Sequence, residues 1–143
     1  MQLPSYGFDF QPFDLIRQNE VNDVYLIDVI GKLTAMSDPV DVSNDGTPNY
    51  KLIIELEDSS ENKLTCTLWG KYAQQLLDYR KGEISGHPII VLQFAKIKKF
   101  RDQVSLSNSL FATKILINGD ITEVHDFKES IRDEDDSNSQ VIN

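Results

Sequence analysis

The chain has 143 residues, 40% of them hydrophobic and 26% charged, with a formal net charge of -9. That length suits one domain around one core, and no apolar run approaches the roughly 20 residues of a bilayer-spanning helix. One cysteine beside two histidines excludes an internal disulfide and the usual clustered zinc ligands, while an N-terminus without a basic start or apolar stretch reads as intracellular.

An aromatic lead-in opens the chain: Tyr6-Gly7-Phe8-Asp9-Phe10, then Pro12 and Phe13. Residues 24–35 are apolar and rich in β-branched side chains, which predicts a strand bent or bulged at Gly31. Asp28, inside that run, is expected to bond nearby backbone. Residues 37–49 collect Asp, Ser, Asn, Gly and proline, a loop whose turn falls at Asn44-Asp45-Gly46. In the next strand Leu52, Ile54 and Leu56 alternate inward against Lys51, Ile53 and Glu55.

A turn over residues 58–62 leads to Leu64-Thr65-Cys66-Thr67-Leu68-Trp69-Gly70. Here Leu64, Cys66 and Leu68 take the core side, which turns Thr65, Thr67 and Trp69 outward. The period then changes: Tyr72, Ala73, Leu76 and Leu77 form one stripe of a short helix over residues 70–80. A fourth strand starts at Ile89, with Ile89, Val91, Ala95 and Ile97 on one parity and Lys96, Lys98 and Phe100 on the other. A turn at Arg101-Asp102-Gln103, a strand over 104–108 and an apolar stretch over 110–117 follow. Asn118-Gly119-Asp120 breaks the chain before a terminal helix capped near Asp120 or Thr122.

The organisation expected is a lead-in over residues 1–22, a domain over 23–131 and an acidic, disordered tail over 132–143. Five strands with a helix between the third and fourth predict an all-β fold: a five-stranded antiparallel OB-fold barrel with a C-terminal helix.

The net charge argues against nucleic-acid binding, since phosphate contacts need cations. Its distribution weakens that argument. From Asp126 onward six acids face two bases, whereas Lys96, Lys98, Lys99 and Arg101 are the only charges over residues 96–101. Outward aromatics interleaved with cations on a sheet suit a flexible nucleic-acid strand, whose bases stack while its phosphates meet ammonium groups.

At Phe8-Asp9-Phe10, Leu26-Ile27-Asp28-Val29-Ile30-Gly31, Thr65-Cys66-Thr67-Leu68-Trp69-Gly70, Ala95-Lys96-Ile97 with Phe100, and Asn118-Gly119-Asp120-Ile121 the sequence resembles the single-stranded-DNA-binding OB domains of the replication protein A large subunit. The likeness is greatest to the second tandem DNA-binding domain and, in Tyr-Gly-Phe-Asp-Phe, Leu-Trp-Gly-Lys-Tyr and Gln-Phe-Ala-Lys, to plant paralogues. The resemblance implies that Trp69 and Phe100 stack on bases, that Lys96 contacts the backbone where an arginine is common, and that Lys51 holds another basic position. With the outward Lys98 and Thr67 and with Arg101 of the cationic run, these make the expected binding set.

The resemblance further implies a nuclear protein of DNA replication, repair or recombination. Its expected partners are single-stranded DNA and other OB-fold domains or replication protein A subunits. The loop over residues 37–49 departs from the family, carrying Asp38, Asp41 and Asp45 without a lysine or arginine.

Competing readings are kept. Trp69 packs under the aromatic lead-in, or the lysines form a solvated edge, or the fold is a protein-interaction module that has lost most DNA affinity. Cys66 reads as a core residue, and His87 and His125 as surface residues. No nucleophile elbow, phosphate-cradling glycine loop or metal-ligand spacing appears, so no enzyme, cofactor, metal, membrane or small-molecule substrate is expected.

Overall fold

The computed structural model describes residues 7–18, 24–43, 46–82, 86–101, 103–109 and 112–131. The tail over 132–143 and the loop residues Asn44 and Asp45 lie outside the described residues. In chain order the strands are β1 (Ile27–Met36), β2 (Val40–Asp41), β3 (Tyr50–Glu57), β4 (Lys63–Trp69), β5 (Ile89–Phe100), β6 (Gln103–Asn108) and β7 (Lys114–Ile117). The helices are α1 (Phe13–Arg17), α2 (Lys71–Arg80) and α3, over residues 122–131.

Strands β1, β3, β4, β6 and β5 are neighbours in that order, and β5 pairs back onto β1 to close the barrel. Four of the junctions are antiparallel; β4 and β6 run parallel, with Cys66 opposite Leu106 and Thr67 opposite Ser107. The expected barrel is thus present, but it is mixed rather than purely antiparallel. Directions cannot alternate all the way round a ring with an odd number of strands, so closing five of them forces a parallel junction. Outside the ring, β2 pairs with the start of β3 and β7 with the first half of β5.

Alternation decides the core. Leu52, Ile54 and Leu56 of β3 and Leu64, Cys66 and Leu68 of β4 are buried, as their parity predicts, and all join one cluster. Burial in that cluster pushes the Cys66 thiol up from its ordinary 9.0 to about 12. Helix α2 covers one end of the barrel with Tyr72, Ala73 and Leu76, matching the expected stripe. The other end is closed by α1, which inserts Phe13 and Ile16, each 1% exposed. A five-residue helix offers too short a window for periodicity, and the lead-in gave no sign of it.

Gly31 does not mark a bulge. The register shifts of β1 fall on either side of it, between Ile27 and Val29 and between Leu33 and Ala35. Its lack of a side chain serves close packing instead: a Cβ there would lie 3.0 Å from Leu56 Cβ, 3.1 Å from Phe13 Cζ and 3.2 Å from the Glu57 carbonyl oxygen.

Strand β5 also departs from its expected parity. Ile90 and Leu92 point into the barrel core, whereas Ile89 and Val91 pack in a second cluster with Ile121 and Val124, at and beyond the start of α3, and with Phe8 and Phe10. Beyond Phe94 the inward positions are Ala95 and Ile97. One extra residue enters β5 between the pairs Val29–Leu92 and Ile27–Ala95, and this bulge exchanges the two faces of the strand. The bulge is what turns Lys96 and Lys98 to the outside.

Candidate nucleic-acid interface

The outer face of the barrel across β3, β4, β6 and β5 carries most of the residues singled out from sequence. Register places them in rows. Ile53 of β3 lies opposite Thr67 of β4, Thr67 opposite Ser107 of β6, and Ser107 opposite Lys96 of β5. One row further along, Lys51 lies opposite Trp69. In the row on the other side, Glu55 pairs with Thr65 and Lys98 with Ser105. Strand spacing of about 4.8 Å makes each four-strand row about 14 Å wide.

Trp69 is 41% exposed and Ile53 39%. The Lys51 ammonium sits 5.4 Å from the Trp69 ring centroid, a cation–π arrangement that fixes the indole at the margin of the face. Two local features put it there. Gly70 adopts φ 61° and ψ −127°, a backbone region open essentially only to glycine, and turns the chain from β4 into α2. The Trp69 N–H donates to Asn108 Oδ1 at 2.7 Å, tying the end of β4 to the end of β6. Among the described residues of the lead-in, Phe8 and Phe10 are turned elsewhere, stacking on each other with centroids 5.0 Å apart and packing beside α3.

The electrostatics of the face favour an anion. Neither Lys96 nor Lys98 is in an ion pair among the described residues, and both are exposed. Two acids of β3 share the parity of this face: Glu55 accepts from Thr34 Oγ1 at 2.8 Å and lies 3.7 Å from Lys63 Nζ, and Glu57 lies 3.5 Å from Lys32 Nζ. The acidic loop sits at the β3 flank: β2 sets Val40 opposite Lys51 and Asp41 opposite Tyr50. Asp41 is held below its usual carboxylate range by hydrogen bonds from the Ser43 side chain and backbone, and its pairing with Tyr50 puts it on the other parity from Lys51.

Phe100 and Arg101 belong to the far end of the face. Phe100 pairs with Gln103 in the β5–β6 hairpin, and its side chain lies outside the described residues. Arg101 is exposed in the turn with φ 57°. The face therefore joins Lys51, Thr67, Trp69, Lys96 and Lys98, with Arg101 at the tip of the hairpin.

Sequence reasoning missed Asn108, Ser107 and Phe94. Alternation of Val104 and Leu106 with Ser105 and Ser107 was the available signal for the β6 strip. Asp28, 7% exposed, bonds backbone as expected: Oδ2 accepts from the Asp9 N–H at 2.9 Å and Oδ1 from the Phe94 N–H at 3.0 Å. His125 is exposed, 2.7 Å from Asp120 at the foot of α3, and His87 is exposed. Among the described residues no group of three or more His, Cys, Asp and Glu is placed to hold a metal ion, and no helix is long and apolar enough to cross a membrane.

The family profile described as the replication protein A OB domain matches residues 15–118. The chain belongs to the replication protein A OB-domain family. The matched range runs from within α1 to the end of β7 and takes in the whole barrel. This OB domain is similar to a 70 kDa DNA-binding subunit of replication protein A from Arabidopsis thaliana, 27% identical over 128 residues that cover 86% of this chain and 19% of that protein. It is also similar to a chain in the structure of a replication protein A heterotrimer bound to single-stranded DNA, with a TM-score of 0.72 at 24% identity, covering 92% of this chain and 30% of that one. A further likeness is to Schizosaccharomyces pombe Pot1pC bound to single-stranded DNA, with a TM-score of 0.53 at 10% identity over 88% of this chain and 97% of that one. The chain spans less than a third of the first two relatives. At these identities the two structural likenesses establish the fold.

Proposed function

We propose that this OB domain binds single-stranded DNA along the β3–β4–β6–β5 face, without enzymatic activity, as a module of a replication protein A-like factor in the nucleus. The observation that carries the reading is an exposed indole, Trp69, on one sheet face with Lys96 and Lys98, which make no ion pair among the described residues. Bases stack on aromatic rings whatever their identity, and duplex DNA hides its base faces, so binding favours single strands with little sequence preference. Trp69 and Phe100 are assigned to bases, Lys96, Lys98, Lys51 and Arg101 to phosphates, and Thr67 to the floor between them.

Support for a nucleic-acid partner also comes from the company the fold keeps: the replication protein A heterotrimer and Pot1pC are both named as complexes with single-stranded DNA. The working unit is residues 23–131 with the lead-in over 1–22 supplying the α1 plug. Few cations and the acidic β2 flank set a modest affinity, in about the micromolar range or weaker, which tethering to further OB domains or subunits raises through effective concentration. Fluorescence anisotropy with a labelled oligothymidine at two salt concentrations tests the reading. Saturable binding that weakens with salt is expected. Salt-independent binding, or none, favours the protein-interaction module instead.

A further inference from the structure

Phe94 stands at the β5 bulge with φ 62°, a left-handed backbone that glycine accepts freely and that is a genuine outlier for a bulky residue. The other non-glycine residues with positive φ, Glu61, Arg101 and Asn118, lie in turns and bends, whereas Phe94 lies within a strand. Its backbone is held on both sides: the N–H donates to Asp28 Oδ1 at 3.0 Å, and the carbonyl accepts from Thr113 Oγ1 at 2.7 Å. Glycine would serve such a bulge without strain. Nor does the ring fill the core, being 40% exposed between Leu92 and Ala95, which are both 0% exposed. Strain held in place by buried partners, on a large apolar side chain presented to water, is the pattern of a functional position.

Register locates that ring relative to the face already described. Ala95 lies opposite Asn108 and Lys96 opposite Ser107, while Thr67 lies opposite the same Ser107. Phe94 is next to Ala95, and the Trp69 backbone N–H donates to Asn108 Oδ1 at 2.7 Å, so both aromatic residues flank the Asn108 end of β6. Lys96 is about 7 Å along β5 from Phe94. Aromatic residues thus stand on either side of β6, with a cation beside the second.

We propose that Phe94 is a further base-stacking platform, which extends the single-strand path from Trp69 across β6 onto β5. The inference rests on the single-strand reading proposed for this face and assigns to it a residue that the lysines alone do not require. The occupant is a nucleobase of a flexible single strand, since a phosphate-bearing chain is what Lys96 beside the ring would hold.

The test uses the full chain and an oligothymidine of about 15 nucleotides, near the upper site size of one OB domain. Wild type, Phe94→Gly and Trp69→Ala are compared by anisotropy and by thermal melting. A double variant, Trp69→Phe with Phe94→Trp, moves the only tryptophan of the chain to the bulge. The expected result is that Phe94→Gly weakens binding by about 5- to 150-fold, the range for one stacked base, without a lower melting temperature, and that tryptophan emission at position 94 is quenched by the oligonucleotide. If Phe94→Gly binds like wild type while Trp69→Ala is weakened, the role of Phe94 is overturned and the single-strand reading stands. If Phe94→Gly melts lower and the tryptophan at 94 is not quenched, the ring is a packing group and the inference falls. If the wild type binds no single strand, both fall together.

Discussion

Asp28 joins the lead-in to the barrel, and Asp28→Ala measures how much that junction contributes. Its carboxylate accepts from two backbone N–H groups, Asp9 at 2.9 Å and Phe94 at 3.0 Å. Its own backbone carbonyl accepts from the Gln11 N–H at 2.9 Å, an interaction the substitution leaves intact. Each hydrogen bond to a charged acceptor contributes about 1.5–3 kcal/mol. Asp9 and Phe94 are exposed residues, so water recovers part of the loss at both. The net destabilisation expected is about 2–3 kcal/mol, which for a domain near this size lowers the melting temperature by about 4–12 °C. Asp28→Asn keeps one acceptor but turns an amide donor toward the other N–H, so it recovers at most about half of that. Circular-dichroism melting and urea titration of the three proteins make the measurement. If Asp28→Ala melts with the wild type, the two carboxylate bonds do not hold the lead-in and the bulge in place, and the reasoning fails.

Trp69→Ala is expected to weaken oligothymidine binding by about 5- to 150-fold, with thermal stability lowered chiefly by the lost Lys51 contact, about 0.5–1 kcal/mol. Unfolding of this variant would make Trp69 a packing residue. Lys96→Ala is expected to weaken binding to all sequences and to flatten the slope of log affinity against log salt by about 0.7, one phosphate on a single strand; an unchanged slope contradicts the assignment. Cys66, fully buried with its thiol pushed up to about 12, is expected to resist iodoacetamide at pH 8 until the protein is unfolded. Because the folded state holds that proton more tightly than the unfolded chain, stability is complete below the unfolded value of 9.0 and falls as pH rises from there toward 12. Stopped-flow alkylation and melting at graded alkaline pH check both, and rapid native alkylation would refute the buried placement.

The parts legible in the sequence are those that local alternation specifies. Leu52, Ile54 and Leu56 against Lys51 and Ile53, and Leu64, Cys66 and Leu68 against Thr67 and Trp69, fix two strands and the face they present, because side chains with period two have one side to bury. Helix α2 was visible for the same reason at period 3.6. What escaped depends on contacts distant in sequence. The parallel junction of β4 with β6 follows from ring closure, which no single segment reveals. The bulge at Phe94 hides in a run, Ile89 to Ile97, whose first half is buried on both faces, between the barrel core and the cluster beside α3. Such a run carries no alternation to lose, so an inserted residue leaves no trace in the pattern. Asn108 is a polar residue at a strand end whose reach to the Trp69 N–H exists only once β4 and β6 are neighbours.

Chemical-shift mapping of the isotope-labelled protein with a short oligothymidine tests the central claim most directly, because it asks which surface the strand touches. Saturable shifts are predicted at the Trp69 indole N–H and at the amides of Lys51, Thr67, Ser107 and Lys96, across four strands of one face. Shifts confined to the groove between Pro48 and Lys71 at the start of α2, or no saturable shift at all, would contradict the account.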